Sequence, residues 1–104
     1  MADRACDALV VVAVFVARPG RDAELERTLL DLVQPTRAED GCIRYELNRA
    51  VDETGVLFFT EIWASAAHHH AHLGTPHVRR LLEVVPELLA TSIREYKGSL
   101  LAGG

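Results

Sequence analysis

The chain has 104 residues, 49% of them hydrophobic and 25% charged, which suits one globular domain with its own core and excludes a disordered chain. A formal net charge of −4 excludes the basic footprint of a nucleic-acid binder. The longest apolar run, Ala8 to Ala17, is about half a membrane span, no charged-then-apolar leader opens the sequence, and Cys6 and Cys42 lack CxxC spacing, so a cytoplasmic protein with free thiols is expected.

Leu9 to Ala17 holds V-V-V-A-V-F-V, apolar at every position, as in a strand covered on both faces. Val10, Val12, Val14 and Val16 point one way; Val11, Ala13, Phe15 and Ala17 point the other. Arg18-Pro19-Gly20 breaks the strand. From Asp22, the residues Leu25, Leu29, Leu32 and Val33 recur at helical spacing, with Asp22, Glu24 and Glu26 placing negative charge at the helix start. Pro35 is expected to kink or end this helix, and T-R-A-E-D-G to add another turn before Gly41 stops it.

Cys42 to Val51 alternates, with Ile43, Tyr45, Leu47 and Val51 on one face and Arg44, Glu46 and Asn48 on the other. Asp52 to Gly55 reads as a hairpin loop. If Val51 pairs with Val56, Tyr45 lies opposite Ile62, Glu46 opposite Glu61, and Arg44 opposite Trp63. That register gathers Arg44, Glu46, Asn48, Glu61 and Trp63 on one polar face. Val56 to Trp63 is β-branched and aromatic, a strand. Ser65 then caps a short helix, Gly74 ends it, and Thr75-Pro76 starts a second one. Val78, Leu81, Leu82 and Val85 form its core stripe, and Pro86 bends the chain before Leu88 and Leu89. Within Thr91 to Leu101, Ile93, Tyr96, Leu100 and Leu101 suggest an edge strand.

The order is strand, helix, strand, strand, helix, strand. It predicts an α+β, ferredoxin-like βαββαβ fold over a single 1–104 domain, with a core of about residues 8–101 and both helices on one face of an antiparallel sheet. Two helices cover one face only, yet the first strand is apolar on both. A second copy of the sheet is the simplest cover, so a homodimer is expected.

Several stretches carry a family likeness. V-V-V-A-V-F-V-A-R-P-G, P-T-R-A-E-D-G-C-I-R-Y-E-L, F-F-T-E-I-W-A-S and H-L-G-T-P-H-V resemble the antibiotic biosynthesis monooxygenase domain, from roughly Leu9 to Leu89. The most specific parts are Gly41-Cys42-x-x-Tyr45, Glu61-x-Trp63 and His72-x-x-x-Pro76-His77. The resemblance implies a dimeric α+β barrel with a pocket between helices and sheet in each subunit. It also implies oxygenation of quinol- or anthrone-like aromatics by molecular oxygen, without metal, flavin or haem. Haem-degrading relatives place a ligand His, an Asn and a second aromatic where this chain has Leu82, Ala13 and His72, so haem degradation is not expected.

Oxygenation without a cofactor needs a base to make an electron-rich aromatic anion, a donor to hold it, and an apolar pocket. His72 is either the candidate base, since imidazole titrates near neutrality, or an exposed helix histidine in a histidine-rich run. Trp63 either stacks on a planar substrate or belongs to the core, and Glu61 either orients a histidine or Arg44 or meets the partner subunit. His72, Trp63 and Glu61 form the expected catalytic set, with Tyr45, His77, Arg44 and Phe59 around the substrate. His77 either poises a substrate oxygen or supports the turn after Pro76. His68, His69, His70 and His72 invite a metal reading, with 68 and 72 on one helix face, but no HExxH pattern, cysteine pair or nearby aspartate completes a shell. No metal and no cofactor are expected. Two other readings stay open: an isomerase or proton-transfer cyclase on the same scaffold, and a non-catalytic dimer that binds a small aromatic.

Overall fold

A computed structural model describes residues 7–103; Cys6 lies outside them. Cys42 is a free thiol, partly buried, and burial raises its pKa. The elements run β1 (Leu9–Val16), α1 (Asp22–Leu30), α2 (Val33–Arg37), β2 (Cys42–Arg49), β3 (Val56–Trp63), α3 (Ala66–Leu73), α4 (Pro76–Val84), a 3-10 turn (Val85–Leu88) and β4 (Arg94–Gly98). The sheet is antiparallel in the order β2-β3-β1-β4, which is the ferredoxin-like α+β arrangement.

Side-chain alternation decides where the core lies. Val11, Ala13 and Phe15 of β1 face Glu61, Phe59 and Leu57 of β3 on the helix side and are buried there. Leu25 and Leu29 of α1, and Val78 and Leu81 of α4, close over them. Val10, Val12, Val14 and Val16 turn to the opposite face, with Phe58 and Ile62, and are only half-buried.

The helix termini follow their sequence signals. The Ser65 hydroxyl accepts the His68 N–H, and the Thr75 hydroxyl accepts the Val78 N–H with Pro76 in the first turn. Pro35 behaves differently from expectation. The helix breaks earlier, at Asp31–Leu32, and Pro35 sits in the first turn of α2, where a missing N–H costs nothing.

The β2–β3 register also differs, by one residue. Tyr45 pairs with Glu61, Glu46 with Thr60 and Arg44 with Ile62. A one-residue slip exchanges the faces of a whole strand. The observed register buries Leu57, Phe59 and Trp63 together with Tyr45, a larger apolar set than Phe58 and Ile62 would supply. A bulge between Cys42 and Arg44 shifts the pairing by one residue more, setting Cys42 opposite Trp63, and leaves Ile43 62% exposed. The strand ends at Arg49, and Val51 lies out in the loop, exposed. Glu46 and Glu61 therefore do not face each other, and Arg44 and Glu46 lie across the sheet from Glu61 and Trp63.

Gly41 joins α2 to β2 at a φ of +80°, and a Cβ there would stand 2.2 Å from Cγ of His68. The chain passes so close to α3 that only glycine fits. Replacing Gly41 with Ala is expected to cost about 1–3 kcal/mol, read as a lower urea midpoint at unchanged slope.

Candidate functional site

The helix-facing residues of the sheet make a floor of Ala13, Tyr45, Phe59 and Glu61. α3 lays His69 and His72, about one turn apart, over it, and both are buried. Between them lies a cavity of about 80 Å3 with apolar walls of Phe15, Tyr45, Phe59 and Leu81. Glu61, His69 and His72 are its buried polar groups, and Leu73, Leu82, Ile93 and Glu95 form the more exposed rim.

Glu61 is 4% exposed, and one carboxylate oxygen accepts the Trp63 indole N–H at 2.8 Å. Burial pushes its pKa up to about 7, with the carboxylates of Glu95 and Glu39 adding to the rise and the indole hydrogen bond opposing it. Trp63 is fully buried and does not line the cavity; it lies beneath the His72 ring, with centroids 4.6 Å apart and the planes tilted by 35°. It props both acid–base groups and offers no open ring face to a ligand. Tyr45 stacks on Phe59 at 4.5 Å, and burial, then the nearby Glu61, drives its phenol pKa far up, so its hydroxyl stays protonated.

His72 Nδ1 lies 2.8 Å from Oε2 of Glu39, and the same oxygen lies 2.6 Å from Nε2 of His77. Facing an ionised carboxylate, both nitrogens carry the hydrogen. The lone pair of neutral His72 is then on Nε2, which has no protein hydrogen bond among the described residues and is not a buried orphan. The ring of His72 lines the cavity. Burial lowers the His72 pKa, and the hydrogen bond to Glu39 offsets part of that fall. His72 is thus a neutral proton acceptor with a carboxylate behind it.

Glu39, His72 and His77 bring one donor atom each within 4.8 Å of one another, and two imidazoles with a carboxylate suit a divalent cation by type. Their spacing suits protons instead. Ligands about 2.0–2.1 Å from a tetrahedral ion stand about 3.3–3.4 Å apart, whereas the carboxylate oxygen here is 2.8 and 2.6 Å from the two nitrogens. Those are N–H···O distances.

Of the residues expected at the site, Glu61, His72, Tyr45 and Phe59 line the cavity. Trp63 lies beneath it, and His77 lies behind it, against Glu39. Arg44 is on the other sheet face, 3.9 Å from Glu46, because the register turned it there. Three contributors were not anticipated: Glu39, His69, and Glu95, whose carboxylate lies 3.8 Å from His69 Nε2. His69 had a signal in the histidine run, which was read for metal; Glu39 and Glu95 had none.

The antibiotic biosynthesis monooxygenase family profile matches residues 8–84. Rv0793 of Mycobacterium tuberculosis is 35% identical over 85 residues, covering 82% of this chain and 83% of the relative. The sll1783 protein of Synechocystis is 30% identical over 93 residues, covering 88% of this chain, which spans 63% of that relative's length. Among solved structures, PA3566 of Pseudomonas aeruginosa superposes with a TM-score of 0.87 at 31% identity, covering 92% of this chain and 96% of that one. The structure of Rv0793 gives 0.87 at 32%, covering 92% and 97%.

The raised pKa of Glu61 makes a stability prediction. The folded state holds this proton up to about 7, against an ordinary 4.5. Its contribution is complete below pH 4.5 and is lost as pH rises through 7, a loss on the order of 3 kcal/mol. In Glu61→Gln that fall is expected to flatten, measured as the difference between mutant and wild-type urea stabilities from pH 5 to 8.

Proposed function

The chain belongs to the antibiotic biosynthesis monooxygenase family, and from that premise we propose that it is a cofactor-independent monooxygenase acting on a quinol-type aromatic. The observation that carries this reading is the His72 ring, which lines an apolar cavity with Nδ1 held by Glu39 and Nε2 free of protein hydrogen bonds among the described residues. His72 takes the substrate's phenolic proton, and the buried ring presents the imidazolium to the resulting anion. The anion passes one electron to oxygen, and the radical pair joins at a ring carbon as a hydroperoxide. Loss of water then leaves a carbonyl. One oxygen atom enters the product, the other leaves as water, and the substrate supplies all four electrons. Glu61, with a pKa of about 7, is placed to exchange a proton with the departing hydroxyl.

Cavity size favours the smaller substrates. At about 80 Å3 it is smaller than the roughly 150 Å3 apolar cavity that accepts benzene. One ring enters as the rim residues Leu73, Leu82 and Ile93 draw back; a fused anthrone would need much more movement. Homodimerisation belongs to the same proposal. Val10, Val12, Val14, Val16, Phe58 and Ile62 form an apolar face that no helix among the described residues covers, and a second sheet would bury it at a gain of about 1.5–3 kcal/mol per large side chain.

Metal-stripped protein is expected to consume oxygen with single-ring quinols, and His72→Ala to lower kcat by about 10²–10⁴. Folded protein that consumes no oxygen with any quinol counts against the proposal, and turnover that persists without oxygen selects an isomerase. For the dimer, Val12→Asp should yield a folded monomer and Phe15→Asp an unfolded chain, by light scattering and circular dichroism. A monomeric wild type would refute the sheet-to-sheet assembly.

A further inference from the structure

The side chains that hold His72 also connect the cavity to a second, separate space. Beyond Glu39, His77 borders an open groove of about 260 Å3 between α1 and α4, with Thr28, Asp31 and Arg80 along it. Side-chain exposure rises along the row, from 5% at His72 to 13% at Glu39 and 21% at His77. The two rings lie 6.2 Å apart and share one carboxylate oxygen. His77 Nδ1 makes no protein hydrogen bond among the described residues.

We infer that His77 is the solvent-side half of a charge-exchange relay: the two imidazoles share one positive charge opposite Glu39, so a proton that His72 takes from the cavity is matched by one that His77 releases to the groove. A single carboxylate compensates a single imidazolium, and two cationic rings at this separation in a poorly solvated site repel. In the exchange the substrate O–H bond breaks and an N–H bond forms at His72 Nε2. The N–H bond at His77 Nδ1 breaks and its proton passes to water. Both rings keep their N–H on Glu39 throughout, no electron moves, and the net charge of the three groups is constant. The cavity thereby gains the cation that stabilises a substrate anion without building up charge around Glu39.

Other charged groups bear on the two ends. His72 feels Glu95 of β4, and shares the cavity with Glu61 of β3 and His69 of its own helix. His77 shares its groove with Asp31 of α1 and Arg80 of α4. None of them stands between the two rings and Glu39. His77 is thus a positioning residue that acts on the substrate only through His72.

This inference rests on reading His72 as the base, but its first test needs no substrate. Ring-nitrogen NMR on the wild type should show the two histidines titrating as a coupled pair, each curve with two steps; independent single-step curves would overturn the relay. His77→Gln keeps an N–H donor for Glu39 but cannot hold the charge. In that variant, checked as folded by circular dichroism, the His72 midpoint should rise by about half a unit or more as the competing cation is lost. A fall or no change would mean that His77 only clamps Glu39, and would overturn the relay. With an active quinol, His77→Gln should lower kcat about tenfold at unchanged KM, and added imidazole should restore most of it. A lowered kcat that imidazole does not restore would also overturn it. A wild type that turns nothing over refutes the oxygenase reading and leaves the titrations to decide the relay.

Discussion

One carboxylate oxygen, Oε2 of Glu39, holds the site together. It receives an imidazole from α3 and another from α4, joining two helices to the loop before β2. A carboxylate this well buried must be met by donors, and two N–H groups within 2.8 Å meet it. In one continuous helix, residues five apart point about 140° away from each other, so His72 and His77 could not share an oxygen. They do so because Gly74 ends α3, Thr75 bonds back to the His72 carbonyl, and Pro76 starts α4 in a new direction. Gly41 does the same from the other side, bringing the Glu39 loop against the His68 ring. The capping residues are therefore also residues of the site.

The second constraint is the pair of carboxylates. Glu39 has two imidazole partners, whereas Glu61 has one indole N–H and a cavity in front of it. With a single neutral donor and little water, the Glu61 carboxyl retains its proton up to about pH 7. Divergent surroundings give two like groups different work, one holding a base and the other available to donate or accept. Trp63 couples them, since its edge binds Glu61 while its face supports His72.

Most of the fold was legible because its signals are local. Ser65, Gly74 and Thr75-Pro76 mark helix ends through contacts within three residues, and the apolar β1 follows from composition alone. The β2–β3 register was not legible, because a loop longer by one residue changes the pairing and a bulge at Ile43 breaks the alternation of β2. Pairing Val51 with Val56 put Arg44 beside Trp63, and unbroken alternation put Ile43 on the Tyr45 face, where the bulge does not leave it. Which face wins is decided by the summed burial of Tyr45, Leu57, Phe59 and Trp63, a tertiary quantity. Glu39 was missed for a related reason. It stands 33 and 38 residues from its partners, in a loop with no periodicity to read.

The histidine run illustrates how one composition divides into separate roles. Successive helical residues turn by about 100°, so four histidines within five positions of α3 cannot share one surroundings. His68 turns to the Glu39 loop, where Nδ1 meets the Ser65 hydroxyl at 2.8 Å and the ring packs on Gly41. His70 faces solvent, while His69 and His72 face inward over Trp63. A metal reading counted 68 with 72, but burial selects 69 with 72, a pair whose rings lie 6.0 Å apart. For both, burial drives the pKa down, and a charge on His72 would push that of His69 lower still, as one on His77 would for His72. Two neutral imidazoles can sit side by side under an apolar cavity where two cations could not. Neutrality also leaves a lone pair free on the ring, so the packing that makes this helix face tolerable in the core is the same packing that leaves His72 able to accept a proton.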